Sequence, residues 1–122
     1  MKLVDTHTHI YGEKYDDDFS EVISRAEKEL EFIISIGYDL ESSKKGVELA
    51  KKYDFVYSVV GIHPVDIKKY NDEVEQELTK MATDEPKVVA IGEIRLDYHW
   101  IEDPKEVQEE IIRTKLEAAV DI

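Results

Sequence analysis

The chain has 122 residues, enough for one domain with a modest core. It has no cysteine, which excludes disulfides and thiolate metal sites and limits any metal to nitrogen and oxygen ligands. A formal net charge of -13 argues against loose nucleic-acid binding through lysine and arginine, but not against a nucleic acid held at a divalent cation. No apolar run approaches the roughly 20 residues of a membrane span, and the start lacks the apolar stretch of a signal peptide. A soluble cytoplasmic protein is the expectation.

The first segment, KLVDTH, reads as a strand and runs straight into His7 and His9. On an extended backbone residues i and i+2 point to one side, so the two imidazoles converge. The next stretch, DDDFSEVISRAEKEL, carries Phe19, Val22, Ile23, Ala26 and Leu30 on one helical stripe behind acidic residues suited to capping. EFIISIG reads as a second strand. Asp39 then stands ready to cap LESSKKGVELAKKY, inside which Gly46 should cost about 1 kcal/mol relative to alanine. DFVYSVVGIHP supplies a third strand, and NDEVEQELTKMA a helix with Val74, Leu78 and Met81 in register. KVVAIGEI is a fourth strand. Asp103 and Pro104 follow as a cap and a first helical position, with Glu106 beyond them. Val107, Ile111, Ile112, Leu116 and Ala119 are then the expected buried face of the last helix.

These strands are nearly continuous in valine and isoleucine, as parallel strands are. Four βα units with short links imply right-handed parallel crossovers in a single domain over residues 1–122. In such folds chemistry gathers where strands hand over to helices. All four histidines fall at these places: His7 and His9 after strand one, His63 after strand three, His99 after strand four. Glu93 and Asp97 share the fourth position.

Each of these residues has a functional reading and a plainer one. His7 and His9 ligate a metal or are polar residues of a turn. Glu93 ends an apolar run, where an unpaired carboxylate is costly to bury, and a cation, an arginine or backbone donors offset that cost. His63 contacts substrate or stiffens a turn before Pro64. Asp97 serves substrate, or caps, or pairs with Arg95. His99 stacks on a base or, beside Trp100, covers apolar surface. Tyr38 and Asp39 read as a strand end and a cap.

Together DTHTH, GIHP and GEIRLDYH resemble the TatD family of metal-dependent deoxyribonucleases, amidohydrolase-like TIM barrels. The resemblance runs over essentially all of the chain. It implies a two-metal hydrolase of DNA phosphodiester bonds, in which a cation such as Zn, Mn or Mg activates water. It maps metal ligands onto His7, His9 and Glu93, while His63, Asp97 and His99 are the substrate-contact candidates from the reading of the residues. No catalytic residue is assigned. Two further histidine ligands and an aspartate, expected on later strands, do not occur in these 122 residues. The family usually has glycine where Arg95 stands and often histidine where Val65 stands.

The fold expected is therefore α/β, a (βα)4 half of a (β/α)8 barrel. Four strands cannot close a barrel and leave open edges, so a homodimer that closes it is also expected. The alternative architecture is an open flavodoxin-like sheet of strand order 2-1-3-4. The alternative function is a catalytically inactive half-barrel that self-associates, with at most weak metal binding. A different amidohydrolase-like reaction is a more distant choice.

Overall fold

A computed structural model describes residues 1–99 and 104–120. Four strands, β1 (Leu3–Thr8), β2 (Leu30–Ile36), β3 (Val56–Val60) and β4 (Val88–Ile91), form one parallel sheet in the order β1-β2-β3-β4. The crossovers contain helices α1 (Phe19–Glu29), α2 (Leu40–Lys52) and α3 (Asp72–Asp84), and α4 (Lys105–Val120) follows β4. Short 3-10 turns at Glu13–Tyr15 and Pro64–Lys69 lie in the links after β1 and β3. Every strand pairs with its neighbour in sequence, so the flavodoxin-like order 2-1-3-4 is not the one adopted. Successive crossovers of one hand that never reverse direction stack their helices on the same side of the sheet.

That side holds the core. Ile33 and Val56, partners across β2 and β3, meet Ile23 of α1 and Ala50 of α2. Farther along, Val60 and Ile62 meet Val47 of α2 and Leu78 of α3. Each fully buried side chain of this size contributes roughly 1.5–3 kcal/mol. The opposite face carries Phe32, Ile34 and Tyr57, partly exposed, with the Phe32 and Tyr57 rings edge to face at 5.8 Å. The outer strands are the most open: Leu3 is 65% and Val89 50% exposed.

Local chemistry explains the helix boundaries. Asp39 accepts a hydrogen bond from Ser42 N–H at 2.8 Å, and Ser42 Oγ accepts from Asp39 N–H at 2.9 Å, closing a reciprocal cap on α2. Burial opposes ionisation of Asp39, but hydrogen bonds from Ser42 and Lys69 outweigh it and hold the carboxyl below its ordinary pKa. Asn71 caps α3 by accepting from Val74 N–H at 2.9 Å. The acidic run before α1 behaves differently: Asp18 occupies the cap position without a side-chain hydrogen bond, and its backbone carbonyl accepts from Glu21 and Val22. Leu30, expected on the α1 stripe, begins β2 instead.

Gly46 in α2 has a packing reason. A Cβ there would stand 2.9 Å from Ser58 Oγ and 3.2 Å from Ser35 Oγ, so the helix approaches the sheet over three small residues. Both serine hydroxyls are buried and have no hydrogen-bond partner among the described residues.

The last helix departs most from the sequence pattern. Val107 is 41% and Leu116 50% exposed, whereas Gln108 and Lys115 are buried at 1% and 5%. The reason lies in backbone groups that need partners. Gln108 Oε1 accepts from Asp97 N–H at 3.1 Å, and Lys115 Nζ donates to the Ile62 carbonyl while lying over the Tyr70 ring. These bonds orient α4, and its apolar stripe faces an open cleft of about 580 Å³ lined by Leu96, Ile112, Leu116 and Val120. The proposed cap Asp103 and the neighbour Trp100 lie outside the described residues.

Candidate metal centre at the strand ends

The C-terminal ends of the strands form a connected line of polar side chains. His7 lies in β1, one residue before its end at Thr8, rather than after the strand as expected, and His9 follows it, with their rings edge to face at 5.2 Å. The His9 ring lies 5.9 Å from that of Tyr11 and 6.0 Å from that of Tyr38, just past β2. The Tyr38 carbonyl accepts from His63 N–H at 2.6 Å, which ties the end of β2 to the link after β3. The His63 ring reaches Arg95, beyond β4, with Nε2 2.6 Å from Nη2.

His9 is the best-held imidazole. Its Nδ1 lies 3.0 Å from the Ile36 carbonyl and 2.9 Å from the Tyr11 hydroxyl, and that hydroxyl also donates to Ile36. A carbonyl can only accept, so Nδ1 carries a proton here, and in the neutral ring the lone pair is then on Nε2. Metal-binding histidines are commonly prepared in this way, one ring nitrogen anchored to a carbonyl and the other left to coordinate. His7 is exposed, with its backbone N–H on Asp5 Oδ1 at 3.1 Å.

Glu93 is half-buried past the end of β4. The Tyr11 phenol has its pKa raised to about 12, chiefly by burial, with the charges of Tyr38, Asp39 and Glu93 adding to it. Among the described residues, no three histidine, aspartate or glutamate side chains group closely enough to hold an ion by themselves. The donors present are imidazoles and a carboxylate, with His9 Nδ1 taken up by the Ile36 carbonyl. Nitrogen and oxygen donors of this kind suit a divalent cation.

The substrate candidates divide. His63 joins the line through its backbone and Arg95. Asp97 is turned toward α4: its N–H donates to Gln108, its Oδ1 accepts from His99 N–H at 3.1 Å, and its Oδ2 stands 4.0 Å from Arg95. His99 is exposed beside it. Tyr11 and Tyr38 were not legible as site residues. Their rings, 6.2 Å apart, border a cleft of about 390 Å³ that Glu13, Asp39 and Lys45 also line. The available signal was Tyr11 at i+2 from His9, on the same side of an extended chain.

The backbone at this rim is tight. A Cβ on Gly61 would lie 1.6 Å from the Gly92 carbonyl oxygen, so only glycine lets the ends of β3 and β4 meet there.

A family model described as TatD related DNase matches residues 4–122. The chain belongs to that family. A protein named as an uncharacterized metal-dependent hydrolase, YabD of Bacillus subtilis, is 40% identical over 121 residues, which are 98% of this chain and 47% of that protein. A 3'-5' ssDNA/RNA exonuclease TatD of Cronobacter turicensis is 35% identical over 98 residues, 80% of this chain and 37% of that protein. The crystal structure of YJJV, a TatD homolog from Escherichia coli, superimposes with a TM-score of 0.83 at 29% identity, over 96% of this chain and 46% of that one. The chain spans about half the length of the relatives it matches. Its four parallel strands alternating with helices correspond to half of a TIM barrel. Among the described residues no helix is long and apolar enough to cross a membrane.

Proposed function

We propose that this chain supplies the divalent-metal ligands of a TatD-type hydrolase that cleaves phosphodiester bonds of DNA. The observation that carries this is the seat of His9: Nδ1 anchored on the Ile36 carbonyl, which leaves Nε2 for an ion, with the His7 ring alongside. The names of the relatives support metal-dependent hydrolysis and a nucleic-acid substrate. When bound, the cation supplies Lewis acidity that makes water a nucleophile near neutral pH. The chain's own groups do the positioning. Tyr11 and the Ile36 carbonyl orient His9. Glu93 brings a carboxylate from the far edge of the sheet. Zn, Mn and Mg all suit this donor set, with two ions expected in a complete site. His63, Asp97 and His99 are the substrate side of the rim.

The test is one preparation carried through three measurements: bound metal per chain, particle mass, and metal-dependent release of nucleotides from single-stranded DNA. Release that is lost in both His9→Ala and Glu93→Ala supports the reading. A metal-free chain that releases nothing ends it. A second reading is a non-catalytic half-barrel that pairs with itself as a homodimer. That reading rests on the general tendency of an unpaired strand edge to pair with another chain. A dimeric mass without metal or release selects that reading.

A further inference from the structure

The contact between His63 and Arg95 has too many donors. His63 Nδ1 lies 3.1 Å from the backbone N–H of Val65, and Nε2 lies 2.6 Å from Arg95 Nη2. Both neighbours are N–H groups. A neutral imidazole has one lone-pair nitrogen and one N–H, and an imidazolium has no lone pair. In either protonation state at least one ring N–H therefore points at another N–H. The Asp97 carboxylate offers limited relief, since it approaches Arg95 only to 4.0 Å and already accepts from His99 N–H. The arginine side chain is 54% exposed, so a solvent-borne ligand can reach it.

An oxygen anion placed between the ring and the guanidinium would accept from both and remove the conflict. A guanidinium fork matches phosphate bidentately. The position is also suitable. His63 is tied to Tyr38, whose ring adjoins His9, so the pair sits on the same rim as the imidazoles, displaced toward β4. From this geometry we infer that Arg95 and His63 hold a backbone phosphate of a single-stranded nucleic acid, next to the phosphate being cleaved. Arg95 is a substrate-positioning residue on this view. The assignment rests on the nuclease reading for the identity of the strand, but not for the anion site itself. Contact to phosphate carries no base preference, so DNA and RNA strands of equal length should bind alike here.

The test separates the two. A fluorescein-labelled ten-nucleotide single-stranded DNA, and its RNA counterpart, are titrated in EDTA over a range of NaCl, with anisotropy as the readout. Inorganic phosphate is titrated in parallel, read by the ring resonances of His63. Arg95→Ala should weaken binding of both strands by about tenfold and lower the slope of log affinity against log salt by about 0.7, the value for one contact to a single strand. Arg95→Lys should keep most of that slope, because the charge remains. Phosphate should move the His63 resonances in the parent and not in Arg95→Ala. Equal affinity and equal slope in the parent and Arg95→Ala overturn the assignment, even where the parent releases nucleotides with metal. Phosphate that moves His63 while neither strand binds overturns the nucleic-acid part. Loss of binding in Arg95→Ala, in a protein that never releases nucleotides, upholds the anion site and removes the nuclease reading.

Discussion

Lys115 offers a prediction whose size follows from the structure. Its side chain is 5% exposed, donates to the Ile62 carbonyl and lies over the Tyr70 ring. Burial lowers its pKa from 10.5 to about 8. The sign follows from proton counting. Below pH 8 the folded and unfolded chains both carry the proton, and the full cost of a buried ammonium is present. Between pH 8 and 10.5 only the unfolded chain holds it, so unfolding takes up a proton and stability rises with pH. At about 1.4 kcal/mol per pKa unit, the cost below pH 8 is at most about 3 kcal/mol. Lys115→Met removes that cost and loses a hydrogen bond of about 1 kcal/mol. The variant should be about 1–2 kcal/mol more stable than the parent at pH 7 and no more stable by about pH 10. Urea unfolding followed by circular dichroism at pH 7, 8, 9 and 10 gives the comparison. Tyrosine and carboxylate titrations are common to both proteins and cancel in the difference. A difference that stays constant within about 0.5 kcal/mol over that range refutes the reasoning, since it would mean that no buried ammonium is being relieved.

Other sites give shorter tests. Asp39→Ala removes the reciprocal cap of α2 and the more distant of two carboxylates around Lys69, and should lower the unfolding free energy by about 1 kcal/mol in urea. Gly61→Ala drives a Cβ into the Gly92 carbonyl and should cost about 3 kcal/mol or more; a fully stable variant would contradict the close approach of β3 and β4. Ser58→Ala deletes a buried hydroxyl with no partner, so its midpoint in urea should match or exceed the parent's. Tyr11→Phe leaves His9 with the Ile36 carbonyl alone and should weaken zinc binding by about tenfold, measured calorimetrically, with little change in stability.

Much of this protein can be read along the chain because its determinants are local. The apolar runs of β1 to β4 and the three-to-four spacing of α1 to α3 are short-range patterns, and short-range patterns suffice to choose strand or helix. Asp39 and Asn71 sit three residues before the N–H groups they satisfy, so both caps are visible in sequence. The position of His9 and Glu93 just past strands is likewise a property of order along the chain, whereas His7 falls inside β1. The sequence alone did not set the orientation of α4. Its apolar stripe argued for burying Val107 and Leu116, but the carbonyl of Ile62 and the N–H of Asp97, far away or on another element, took Lys115 and Gln108 instead. The same holds for the sheet order, which decided between a barrel-type arrangement and an open doubly wound one. It holds as well for the Tyr11 clasp on His9 and for the donor conflict between His63 and Arg95. Each joins groups 25 or more residues apart, or two elements brought side by side. Hydrogen-bond demand at such places is met in three dimensions, and no local period in the chain records which group will meet it.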